Sequence, residues 1–202
     1  MQKKLIEQLS EYDNDKSLQG TSSQFRSYCT IRRDLRQAAA ICDYTINLHN
    51  TIKSDSSAFS SMANDLFLVR AAVMHALILY SRWFKSTKGK PQLQASEYFV
   101  ITSEEMQSHI AIIKLRDSYL AHNQTDILGG DRIWVELDNK GLFISSYSDW
   151  LEHMWLQEKN GLDMAMFRRL IGIVHDRIDA EILPKKQRQL DAHLIKILGK
   201  SA

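Results

Sequence analysis

The chain has 202 residues, 44% of them hydrophobic and 25% charged, with a formal net charge of +2. These proportions fit one globular domain, or one domain with an appended arm, and exclude extensive disorder. Eight glycines and two prolines are too few for the turns of a sandwich or barrel, two cysteines cannot make a disulfide scaffold, and the net charge alone does not argue for nucleic acid.

In chain order, Lys3 to Tyr12 predicts a short helix, and Asp13 to Ser23, polar and holding Gly20, a linker. From Gln24 to about Asn50 the apolar positions Phe25, Tyr28, Ile31, Leu35, Ala38, Cys42 and Ile46 fall three or four apart, the stripe of a long helix. After a Ser-rich break at 54–61, a second long helix is predicted from Ala63 to Lys85, with Leu66, Val69, Val73, Leu77, Tyr80 and Phe84 on one face. Its most apolar stretch, Leu66 to Tyr80, is interrupted by Arg70 and His75 and is shorter than a membrane span of about 20 residues. Met1 to Leu9 carries Lys3, Lys4 and Glu7 with no apolar run behind it, so no targeting segment is expected and a cytoplasmic protein is.

Gln92 to Val100 has no clear period. A third helix is expected to open at a capping box, Thr102 with Glu105, and to stop before Gly129-Gly130. Ile133, Val135 and Leu137 then alternate with polar or larger residues. With Asp138-Asn139-Lys140-Gly141 and Leu142-Phe143-Ile144 they predict a β-hairpin over about 131–146. Asp149 to Lys159 suggests a short helix, with Trp150, Leu151, Met154 and Trp155. Asp163 to Leu183 is the fourth long helix, which Pro184 ends or kinks before a charged amphipathic tail.

The expected fold class is therefore all-α: a bundle of four long helices with one β-hairpin inserted before the last of them. Its parts are an N-terminal helix and linker (1–23), the bundle (24–183) and a C-terminal helix (184–202).

One segment carries chemistry. Leu115-Arg116-Asp117-Ser118-Tyr119-Leu120-Ala121-His122-Asn123 places an arginine, then a polar residue, five positions in all, then a histidine, near the end of a helix. Together with Tyr80-Ser81-Arg82-Trp83-Phe84 at the end of the preceding helix, this resembles the HEPN superfamily of helical-bundle ribonucleases, in the form found in phage-defence and abortive-infection proteins. The resemblance covers about 63–123. It implies a metal-independent endoribonuclease without cofactor, acting as a homodimer, of the kind that serves as a toxin beside a neutralising protein partner. It casts Arg116 as the phosphate clamp, His122 as the proton carrier and Asp117 as the residue that orients one of them. Asn123 holds substrate or caps the helix, and Tyr119 lines the cleft or the dimer interface.

The physical chemistry suits RNA. The ribose 2′-OH is already next to its phosphate, and the reaction lacks only a proton carrier near neutral pH and a cation. An imidazole suits the first role and a forked guanidinium the second. Six residues along one helix set the two side chains about 120° and about 9 Å apart, so a two-fold dimer would help to converge them.

Other readings stand beside this one. Arg70/His75, Arg168 and Arg169 with His175, and Arg188/His193 also have four to six residues between arginine and histidine. Arg116 can also serve as an ordinary ion-pair partner, and His122 as a cation at a helix C-terminus. Arg82 and Lys85, with Lys88, Lys90, Trp83 and Phe84, form an acid-free run suited to RNA phosphates and bases, or a solvated helix end over core aromatics. Arg26, Arg32, Arg33 and Arg36, diluted by Asp34, form a second basic cluster. Helical His75 and His109 read as structural. No histidine pair has zinc-site spacing, and no glycine-rich phosphate loop is present. The alternative function is a non-catalytic helical module that binds a protein partner or a nucleotide. A DNA-binding regulator ranks lower, for want of a helix-turn-helix stretch.

Overall fold

The computed structural model describes residues 16–54, 63–86, 91–122, 133–137, 143–148 and 162–198. The helices predicted over 3–12 and 149–159 and the turn at 138–141 lie outside the described residues.

Helices dominate. α1 is Lys16–Ser54, α2 Ala63–Ser81, α3 Glu104–His122, α4 Met164–Arg177 and α5 Leu183–Leu198. Between α3 and α4 two strands, β1 (Ile133–Leu137) and β2 (Phe143–Ser148), pair antiparallel. Ile133 lies opposite Ser148 and Trp134 opposite Tyr147, and the register shifts between Glu136 and Leu137.

α1, about 60 Å long by its residue count, is the spine on which α2, α4 and α5 pack, while α3 packs on α2 and α4. The stripes read from sequence meet at its centre. Ile31, Leu35, Ala38 and Cys42 of α1, Val73, Leu77 and Tyr80 of α2, and Phe167, Leu170, Ile171 and Val174 of α4 are all buried. Each such large apolar side chain contributes roughly 1.5–3 kcal/mol by leaving water.

Three boundaries differ from the sequence reading, each for a local reason. Residues 16–23, expected as linker, are the first turns of α1. Leu18 and Ser22, four apart, are buried, and α5 packs along α1. Packing outweighs the cost of about 1 kcal/mol for the exposed Gly20 in a helix. α3 is capped by Ser103 rather than Thr102: Met106 N–H donates to Ser103 Oγ at 3.2 Å. Only from that position does a hydroxyl reach the amide three residues on. α2 ends at Ser81, and 82–85 turn off it. Leu93 N–H donates to the Trp83 carbonyl at 2.7 Å, and the Gln92 amide to the Phe84 carbonyl at 3.2 Å, tying the returning chain to that turn.

Pro184 does not end its helix. Asp163 caps α4, its carboxylate accepting from Met166 N–H at 2.8 Å. The chain then passes through a π-helical turn, Ile178–Ile182, in which Leu183 N–H reaches back five residues to the Ile178 carbonyl. The wider turn takes the proline ring where a tight α-turn would drive it into the preceding carbonyl. The segment read as a tail continues as α5 and lies on α1. Leu183 and Leu190 are buried, Thr21 Oγ1 is 2.9 Å from His193 Nδ1, and Lys186 Nζ donates to Gln24 Oε1 at 2.8 Å.

Candidate functional site

The turn after α2 and the last turns of α3 bring two of the predicted elements together. Arg116, half-buried, donates from Nη1 to Asp117 Oδ1 at 2.8 Å. Lys85, from the turn after α2, donates to the other oxygen, Asp117 Oδ2. One carboxylate therefore binds two cations from two elements. The hydrogen bond from Lys85, then that from Arg116, holds the Asp117 carboxyl below its usual range. Arg116 Nε is buried and has no hydrogen-bond partner among the described residues.

Arg82, one turn before Lys85, is held differently. It donates to Asp34 Oδ2, which also accepts from Trp83 Nε1 at 2.8 Å, and its guanidinium lies 4.9 Å from the Trp83 ring centre. Asp34 is 2% exposed, and Arg33 Nε is 3.9 Å from its second oxygen. Trp83 and Phe84 are buried, so these rings are core, not platforms for bases. The acid-free run of the sequence thus meets its acids from other helices. Arg33, Arg82, Lys85 and Arg116 surround Asp34 and Asp117, leaving two positive charges in excess.

Of the other proposed residues, Tyr119 and His122 lie on the backbone of α3, His122 as its last residue, but their side chains are outside the described residues, as is all of Asn123. The Arg70 side chain is outside them too.

Among the rival arginine–histidine spacings, Arg168, Arg169, His175 and His193 have partners on other elements. Arg168 pairs with Asp43 at 2.8 Å and Arg169 with Glu105 at 2.6 Å. His175 Nε2 accepts from Arg36 Nε at 3.1 Å, and His193 meets Thr21. Exposed His75 faces Gln37 at 3.4 Å.

Two buried polar residues bear on this end of the bundle, His109 and Asp34, the latter read from sequence only as an acid diluting a basic cluster. Asp34 lies three after Ile31 and four before Ala38, on the apolar stripe of α1, and an acid at such a position signals a buried partner. His109 lies three after Met106 and three before Ile112. Its ring is 4.4 Å from that of Phe84 and 5.3 Å from that of Phe99, and Tyr80 Oη lies 2.8 Å from Nδ1. Burial pushes its pKa down to about 4, so the ring is neutral at pH 7. That is the structural histidine read from sequence, with Tyr80 as its partner.

Among the described residues no group of three or more His, Cys, Asp or Glu side chains is placed to hold a metal ion, and no helix is long and apolar enough to cross a membrane.

No family model, curated protein or solved structure matches the chain.

The arrangement itself is an anion-seeking one: a guanidinium and an ammonium, fixed on separate elements, share one carboxylate at a partly exposed surface. A phosphate oxygen offers the same charge and acceptor geometry as that carboxylate.

Proposed function

We propose that the surface formed by Lys85, Arg116 and Asp117 binds the phosphodiester backbone of RNA, and that the chain is a HEPN-like endoribonuclease or RNA-binding effector of the cytoplasm. In this reading it works as a homodimer without metal, in the manner of a toxin or phage-defence component held by a protein partner. The observation that carries it is the convergence of Lys85 and Arg116 on one carboxylate at the end of the helix that closes with His122. Substrate phosphate replaces Asp117 between the two cations. Arg116 then neutralises the charge that develops on the phosphorane, and His122 moves the 2′-OH or leaving-group proton. Asp117 keeps the guanidinium aimed in the free protein. The partner copy brings a second Arg116 and His122 to the cleft, since one helix leaves the pair about 120° apart.

The test is cleavage of single-stranded RNA in EDTA. Wild type should cleave, with His122→Ala and Arg116→Ala reduced at least about 100-fold, the usual worth of a general acid–base group. Equal rates in wild type and His122→Ala would refute the catalytic assignment.

One observation favours the alternative of a non-catalytic module: Asp117 already neutralises both cations, as in an ion-pair strut. RNA binding without cleavage in EDTA, lost in Lys85→Ala, would support an RNA-binding effector. No RNA binding would leave the protein-binding module.

A further inference from the structure

A second site lies on another face of α1, where the π turn meets it. Between the π turn, the start of α5 and α1 lies a groove of about 240 Å³ lined by Phe25, Cys29, Arg32, Asp179, Leu183, Pro184 and Gln187. Such π turns are frequent at functional sites, because one inserted residue re-aims side chains that a regular helix would turn away.

Its chemistry is divided. Phe25, Leu183 and Pro184 supply an apolar wall. Asp179 sits on the π turn, and both its oxygens are taken, Oδ1 by Arg32 Nη1 at 3.1 Å and Oδ2 by Arg36 Nη2 at 3.4 Å. These bonds, that from Arg32 first, hold the Asp179 carboxyl below its usual range, so it stays ionised and fixed. Two guanidiniums against one carboxylate leave one positive charge. The charged neighbours do not cancel it: Asp176 is 84% exposed beside His175, and Glu181 pairs with Arg177. Arg32 has spent only Nη1 among the described residues, and its side chain is 37% exposed, open to a further acceptor. Gln187, which lines the groove, gives its amide N–H to Asp191 at 2.7 Å.

We propose that this groove binds a small organic carboxylate with a flat apolar or aromatic body, the carboxylate on the remaining N–H groups of Arg32 and the body against Phe25, Leu183 and Pro184. A fork of N–H groups suits a carboxylate, and the apolar wall excludes a bare inorganic anion as the best occupant. The site shares no residue with the Lys85–Asp117–Arg116 surface and does not depend on the function proposed for it.

Benzoate is the probe and benzamide its uncharged shape match. Saturation-transfer NMR on the full chain should show the benzoate ring protons contacting the protein, and weaker or no transfer to benzamide. Arg32→Met should lower benzoate affinity at least about tenfold. Cys29 provides a second readout: it lines the groove, whereas Cys42 is buried with its thiol pushed up to about 12, so a thiol reagent reports Cys29. Benzoate should slow that labelling several-fold, and benzamide should not. No transfer to benzoate, equal transfer to both probes, or unchanged benzoate binding in folded Arg32→Met would each overturn the proposal. If Arg32→Met does not fold, the benzoate–benzamide difference in wild type decides.

Discussion

Replacing Asp34 by alanine removes the one acceptor that Trp83 Nε1 and Arg82 share. The indole N–H is left in the core without a partner, which costs about 1–3 kcal/mol. Arg82 adds less. Its side chain is 39% exposed and turns to water once released, so its share is that of a surface pair, about 0–1 kcal/mol. The expected loss is therefore ~2–3 kcal/mol, or roughly 5–10 °C in Tm for a chain of this size. Urea unfolding followed by circular dichroism measures it. Asp34→Asn keeps an acceptor for the indole and should cost about half as much. Trp83→Phe in the Asp34→Ala background should add less than Trp83→Phe alone, a coupling of about 1 kcal/mol. If Asp34→Ala costs under ~0.5 kcal/mol, or if Arg82→Gln costs more than Asp34→Ala, Asp34 is not the anchor of this turn. In the first of these cases the assignment of Arg82 to structure rather than to RNA fails as well.

His109 makes stability pH-dependent. Its folded pKa, about 4, lies below the ordinary histidine value of 6.5, so the unfolded chain takes up the proton first. Stability is therefore full above about pH 6.5 and falls as the pH drops towards 4, by ~3 kcal/mol in total. Urea midpoints between pH 7 and pH 4.5 should show this slope in wild type and a flatter one in His109→Phe. Gly20→Ala should raise stability by about 0.5–1 kcal/mol, since an added Cβ meets nothing within 4 Å and the position is helical. A neutral result in thermal melts would return 16–23 to linker. Asp117→Asn should leave stability within about 1 kcal/mol, because Asp117 and Lys85 are exposed and asparagine keeps an acceptor for half-buried Arg116, and should tighten RNA binding by freeing Lys85 and Arg116. The slope of log affinity against log salt should steepen by about 0.7 for each cation freed, read by fluorescence anisotropy; an unchanged slope would count against a phosphate site there.

The stripes of α1, α2 and α4 were legible because burial repeats every three or four residues. Ile31 to Cys42, Val69 to Phe84 and Phe167 to Ile178 read as one face each, and each face is buried. The candidate site was legible only as residue types. Arg116 and Asp117 are neighbours in the chain, but nothing in the sequence announces that Lys85, 32 residues earlier, takes the second oxygen of Asp117. The same holds for Asp34 and Arg82, 48 residues apart.

The sequence by itself determined which segments are helical and which faces turn inward, since periodicity and capping act within a few residues. It could not decide where polar segments end up. Residues 16–23 read as part of a linker and 184–198 as a charged tail helix, and each is drawn into the bundle because the other is there to pack against. Pro184 likewise reads as a stop. The wide turn that carries the helix past it needs the anchorage of α5 on α1, a contact between residues about 160 positions apart in the chain.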